Sequence, residues 1–259
     1  MLPREDLLKR ADNRDVIARA IDLAEQAVKT WEVSISDFLS PPELVDIQSC
    51  FQGLADIISL SWGGYPQAER QRLGFARSEL PLLKEQVEVA AISISGNFLF
   101  DSATHRDFLG SLLGTGLVRE KVGDIIVLGE RGAQAVVMPE IVPFLETSLT
   151  QVRSVPVQVR PISLDELKIR EPKKKEMTTV EASMRLDAIA SAGFGMSRSK
   201  MSDFINRGDV RENWKSTTTP SHALQTGDLV AIRGKGRLTI GNVAITKKQR
   251  YRVQLTRLV

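Results

Sequence analysis

Cysteine, histidine and aromatic residues are scarce in this chain. Its 259 residues include one cysteine and two histidines, and aromatics make up only 5%. A single cysteine, Cys50, can close neither an internal disulfide nor a multi-cysteine zinc site. Set among apolar neighbours, it reads as a small packing residue. His105 and His222 lie far apart, which argues against a zinc enzyme, and no metal or cofactor is expected. No apolar run approaches the ~18 residues that mark a membrane span. No secretory signal opens the chain. With one thiol, these absences point to a reducing, cytoplasmic setting away from membranes.

Net charge is low, +3, but unevenly spread. Residues 173–259 hold 17 Lys and Arg against 7 Asp and Glu, a balance of +10; the preceding residues hold 18 against 25, or −7. A C-terminal third this basic is the electrostatic footprint of a polyanion binder. The acidic remainder argues against nucleic acid wrapping the whole protein.

The stretch 185–240 carries most of the information. Leu186, Ile189 and Ala190 mark a short helix, which Gly193 and Gly195 end. Ser197 is placed as an N-cap for a second helix, Arg198 to Asn206, with Met201, Phe204 and Ile205 on its apolar face. Gly208 suits the position after that helix, where positive φ costs a glycine little. Gly227-Asp228 signals a turn. Strands follow at Leu229–Ile232 and Leu238–Ile240. A helix N-terminus favours phosphate. Arg198 and Lys200 in the first turn would oppose the helix dipole unless an anion sits beside them. Arg233, Lys235 and Arg237 alternate with glycines, so the backbone there can approach a phosphodiester closely.

Residues 1–80 read as a helical bundle: a helix over Asp12–Trp31, a second starting at Pro41 behind the cap Ser40 and running to Ile58, and a short one over Pro66–Arg77. Gly63-Gly64 is read as the stop. Residues 85–162 change period. Their order is β-α-β-β-α-β, with strands near 87–95, 124–128, 133–138 and 155–162 and helices over 105–113 and 139–149. That is the order of a ferredoxin-like split βαβ unit, the topology of RNA-recognition modules. Its strands carry Val, Ile and Ala, which cannot stack bases, so RNA contact falls on loops. Arg106, Arg119 and Lys121 are the candidate phosphate contacts. His105 and Asp107 read as cap and packing. The nearby glycines follow a helix and no Lys-Ser/Thr completes a phosphate loop, so no small-molecule substrate is evident. Residues 163–180 read as a linker with a mobile charge run. Lys247 and Lys248 belong to a final edge strand that presents cations.

The ordered residues Arg185-Leu186-Asp187, Ser197-Arg198-Ser199, Ile205, Gly208, Val210 and Gly227-Asp228-Leu229-Val230 resemble the S4 RNA-binding domain. This resemblance implies an S4-type α+β domain over 181–259. It implies an RNA-facing helix from Ser197 to Arg207 (with Ser199, Lys200 and Arg207), assisted by Arg185 and the 233–237 loop. Where many S4 domains read Val-Asn-Gly, this chain reads Glu212-Asn213-Trp214, so its hairpin turn lacks the usual glycine.

The middle block HRDFLGSLLGTGLVREKVGDIIV, with Gly63-Gly64-Tyr65-Pro66 and Glu69-Arg70, resembles the YlmH family. Within it the chain is most similar to the photosystem II S4 domain branch of oxygenic phototrophs, although no membrane segment or pigment-ligand cluster supports photosystem contact. The family resemblance implies a non-catalytic protein that binds structured rRNA or tRNA at the large ribosomal subunit, with some members acting in ribosome-associated quality control. A competing reading is an RNA-modifying enzyme such as a pseudouridine synthase, because those enzymes carry an Asp beside an Arg-Leu pair. Against it, the chain ends shortly after the S4-like stretch, and no strand–GxGxG–helix loop supports a methyltransferase. A third is an assembly scaffold.

Overall fold

The computed structural model describes residues 2–169, 173–232 and 234–258. It divides into two compact units, Met1–Ile169 and Arg170–Val259. Each is mixed α+β.

The first unit opens with helices α1 (Arg4–Arg10) and α2 (Arg14–Thr30), strand β1 (Ser34–Ile35) and helix α3 (Pro41–Phe51). The expected apolar stripe of α2 is buried: Val16, Ile17, Ala20, Ile21, Ala24 and Ala27. Cys50 packs in the same core. The segment is nevertheless not a helical bundle. Gly53, at φ 87, ends the second helix, and Ile57–Trp62 is strand β2 instead of a continuing helix. The helix expected over Pro66–Arg77 is instead strand β3 (Arg72–Arg77), central in a sheet ordered β1-β3-β2. Leu73 and Phe75 alternate into the core against α2 and α3, a period-2 signal that the flanking charges hide. On the other face, Arg72 donates to the carbonyls of Ser36 and Glu88. Gly74 leaves room for Val87, whose Cγ2 lies 2.9 Å from where a Cβ would stand.

Next come β4 (Ala90–Ser95), α4 (His105–Gly114), β5 (Val122–Val127), β6 (Gly132–Val137), α5 (Val142–Ser148), a small hairpin of β7 (Gln151–Val152) and β8 (Val155–Pro156), and β9 (Gln158–Ile162). The antiparallel sheet runs β5-β6-β4-β9, the order of a split βαβ unit. Ile92, Ile94, Ala133 and Ala135 face α4 and α5. The opposite face, carrying Ala91, Ile126 and Val136, is covered by Phe38, Leu164 and Leu167. Strand β6 is therefore buried along its whole length. Leu164–Glu166, in the expected linker, is a single tight turn.

The second unit contains β10 (Lys174–Glu181), α6 (Leu186–Phe194), α7 (Arg198–Asn206), β11 (Val210–Glu212), β12 (Lys215–Ser216), β13 (Leu229–Ile232), β14 (Gly236–Ile245) and β15 (Tyr251–Leu258). The sheet order is β10-β15-β14-β13-β11-β12. Two expectations fail here. Residues 174–181 are not a mobile linker, because β10 pairs with β15 over eight residues. Glu171 and Pro172 lie outside the described residues. The final strand is also not at an edge: β15 lies between β10 and β14, which gives its Val253 and Leu255 a buried face. Helices α6 and α7 cover one face of this sheet through Leu186, Ile189, Met201 and Ile205. Gly193 allows this approach, since a Cβ there would overlap the Leu238 side chain.

Candidate nucleic-acid interface

Arg185 is the N-cap residue of α6 and Ser197 that of α7, and the Ser197 hydroxyl oxygen accepts from the Lys200 amide at 3.3 Å. Between the two starts lies Asp187, 4% exposed. Its carboxylate accepts from Arg185 Nε and Nη2 at 3.1 and 3.0 Å and from Arg198 Nη2 at 3.0 Å. The anion that Arg198 demanded in the first turn of α7 is thus supplied by the chain itself. Burial pushes the Asp187 carboxyl up, but the hydrogen bonds from Arg185 and Arg198 outweigh it and hold the group below its ordinary value. Both carboxylate oxygens are engaged, so Asp187 orients two arginines. Each guanidinium keeps donors for a second partner, with the Arg198 side chain 54% exposed.

The two helix starts differ. The first amides of α6 are taken by a loop: Leu186 N–H donates to the His222 carbonyl at 2.7 Å and Asp187 N–H to that of Pro220 at 3.0 Å. At α7 the side chains of Ser197, Arg198, Ser199 and Lys200 are all exposed. Lys200, Phe204 and Arg207 recur at i, i+4 and i+7, which puts them on one face of the helix.

Phe204 is where the sequence reading fell short. It shares the apolar spacing of Met201 and Ile205, but those two are fully buried and Phe204 is only half-buried. Its ring carries the Arg207 guanidinium at 5.0 Å and the Lys235 ammonium at 5.7 Å. An aromatic flanked by cations four and three residues away was the available signal, and helical periodicity masked it.

Arg237 does not join this group. Strand alternation sends Leu238 under α6 and Arg237 to the opposite sheet face. There its guanidinium lies 5.2 Å from the Trp214 ring. Arg233 lies outside the described residues. The turn at Asn213-Trp214 forms without glycine: both residues have positive φ, 48 and 70, as a two-residue hairpin turn of the primed type requires. The Asn213 side chain secures it, accepting from the Leu229 amide and donating to Asp228, each at 2.9 Å.

In the first unit the secondary candidates mostly turn inward. Arg119 donates to the carbonyls of Val122 and Gly123, and burial, with Arg70 nearby, pushes its pKa down to about 10. Lys121 pairs with Asp37 at 2.9 Å and approaches Glu140 at 3.8 Å. Both serve the fold and are poor phosphate contacts. Arg106 is exposed. Asp107 closes the expected cap on Thr104 at 2.8 Å. Much of the VGD and YPQAER signature is a clamp around Asp124. A bulge in β5 aims this carboxylate at the Tyr65 hydroxyl (2.7 Å) and the amides of Glu69 and Arg70 (2.6 and 3.1 Å). Lys247 and Lys248 sit exposed in the β14–β15 turn. Among the described residues no His, Cys, Asp and Glu cluster could hold a metal, and no helix is long and apolar enough to cross a membrane.

Two family models match the chain. One, described as "YlmH, N-terminal", covers residues 12–80, and the other, "Putative RNA-binding domain in YlmH", covers 83–166. The Bacillus subtilis (strain 168) ribosome-associated protein quality control protein P2 is 32% identical over 249 residues, 96% of each chain. A solved structure, the cell division protein ylmH from Streptococcus pneumoniae, aligns with a TM-score of 0.53 at 18% identity over 61% of this chain and 94% of its own, a likeness of fold. Sequence identity sustained along nearly the whole length, together with both domain matches, makes this chain a member of the YlmH family.

Proposed function

We propose that this protein is a non-catalytic RNA-binding protein that acts on the ribosome in the cytoplasm. The observation that carries this reading is the face of α7: Lys200, Phe204 and Arg207 in line, Lys235 laid over the same ring, and Arg185 and Arg198 held at the helix start by Asp187. Cations spaced along one short helix meet successive phosphates, and a half-exposed ring offers a base something to stack on. Such contacts read shape and charge more than sequence. The S4 resemblance of this stretch, which implies an RNA-facing role for the same helix, supports the reading. The matched RNA-binding domain and the name of the Bacillus relative support a ribosomal setting. Structured rRNA of the large subunit, tRNA held on it, or both are the targets in this reading, and rescue of stalled nascent chains is the process.

The test is co-sedimentation of the full chain with free small subunits, free large subunits and large subunits carrying peptidyl-tRNA, near physiological salt. Selective recovery with the tRNA-loaded large subunit is expected. Replacing Lys200 and Arg207 by Ala removes two phosphate contacts and lowers the salt slope of RNA binding by about 0.7–0.9 per contact. An unchanged slope would remove α7 from the interface. Equal, salt-labile recovery with every particle would reduce the protein to a general RNA binder.

A further inference from the structure

The β14–β15 turn makes a second, separate basic site. An open groove of about 780 Å³ is lined by Val180, Ala244, Ile245, Thr246 and the four cations Lys247, Lys248, Arg250 and Arg252. Among the described residues no carboxylate lines it. Its apolar wall is unusually open for such side chains, with Ile245 67% and Val180 44% exposed.

The groove is built, not frayed. Val180 on β10 and Ala244 on β14 flank Arg252 of β15 in one row across three paired strands. The turn is closed by the Thr246 amide to the Arg250 carbonyl at 2.7 Å, the Gln249 amide to the Thr246 carbonyl at 2.9 Å, and the Arg250 amide to the Thr246 hydroxyl at 3.1 Å. Gln249 takes φ 58 to complete it. Lys247 and Lys248 are thereby fixed at the tip. Four like charges gathered beside exposed apolar side chains repel one another and leave apolar surface wet, unless an anionic ligand with an apolar part covers both.

Lys235 stands at the start of β14 and this groove at its end. Ten residues of strand separate them by roughly 30 Å, somewhat less for the bulge after Ile240. No single phosphate or nucleotide can reach both.

We propose that this groove is a second RNA site that takes an unpaired stretch, its phosphates on Lys247, Lys248, Arg250 and Arg252 and a base or ribose against Val180 and Ile245. The assignment rests on the reading that the chain binds RNA, but not on α7 being the interface. A duplex hides its base faces in the stack, whereas a single strand presents both parts the groove matches. With two sites on one paired sheet, the protein grips two RNA segments at a set spacing, and the second contact gains from the first by raised effective concentration.

The experiment titrates the full chain against a fluorescein-labelled uridine 20-mer over a salt series. The variants are Lys247→Ala with Lys248→Ala, the same pair with Arg250→Ala and Arg252→Ala, and separately Lys200→Ala with Arg207→Ala. Loss of two lysines lowers the salt slope by about 1.4, equivalent to about 25-fold weaker binding at 0.1 M salt if affinities converge at 1 M. An unchanged thermal midpoint shows that the exposed turn still folds. Groove variants with the parental slope overturn the proposal whatever the α7 variant does. An effect of the groove variants alone removes α7 from the interface and leaves the groove standing. Vesicles of phosphatidylserine are the control: binding lost in the groove variants while the RNA slope is unchanged assigns the site to lipid headgroups and also overturns it.

Discussion

Replacing Asp187 by Asn tests whether the chain's own carboxylate organises the RNA-facing arginines. In the folded protein this side chain is 5% exposed and bridges Arg185, 40% exposed, and Arg198, 54% exposed. It accepts three charge-assisted hydrogen bonds. With both arginines half in water, each bond contributes about 0.5–1 kcal/mol, well under its buried value. An Asn oxygen in the Oδ1 position keeps two of the three without their charge assistance, and its NH2 meets the Arg185 Nη2 donor, which cannot accept. The net loss is about 2 kcal/mol at neutral pH. For a unit of this size, that lowers the urea midpoint of its unfolding by roughly 1–2 M. Trp214 reports this transition once Trp31 and Trp62, in the other unit, are replaced by Phe. The sign of the pH dependence follows from the lowered Asp187 pKa. The unfolded chain binds the proton first as pH falls, so the contribution is complete above the unfolded value of about 3.9 and is lost as pH drops through the folded one. Parent and variant therefore differ fully at pH 7 and converge well below pH 4. A variant as stable as the parent at pH 7, or a gap that persists unchanged in acid, refutes the bridge.

Three further outcomes are expected. Gly132→Ala places a Cβ on the Ile94 carbonyl oxygen at φ 109 and should cost about 3 kcal/mol or more, read as lowered thermal stability of the first unit. Asp124→Asn deprives the Tyr65 hydroxyl and two amides of a full carboxylate and should cost about 1–3 kcal/mol, with hydrogen exchange rising at Glu69 and Arg70. Phe204→Leu keeps an apolar side chain but removes the ring under Arg207 and Lys235; affinity for single-stranded RNA should weaken by about 1–3 kcal/mol while the melting temperature moves little.

Local sequence carried a good deal of this. The caps at Ser40, Thr104 and Ser197, the stripe of α2 and the strand–helix order of residues 85–162 follow from spacing and capping alone, since they depend on neighbours within one or two turns. The charge imbalance needed only counting. Strand β2 escapes a local reading because its apolar residues continue the helical spacing of α3 past Gly53, and β3 because its short alternation is bounded by Arg72 and Arg77. The lysine-rich run at 173–176 looked solvated and mobile; pairing with β15, some 80 residues away, makes its residues from Lys174 onward strand.

At the site, residue types were visible but their partners were not. Arg198 called for an anion, and folding brings Asp187 to it from the preceding helix. Three cations in five residues looked like one clamp. The period of a strand turns Arg237 to the other face from α7, while the turn holds Lys235 over Phe204. Arg119 and Lys121 looked free until the buried sheet drew them into carbonyls and carboxylates. Sequence by itself set the cations, the caps and the short-range order. Only tertiary structure decided which cations are spent inside the fold and which stay open to a ligand, because pairing across a fold depends on strand register and helix packing that no local window contains.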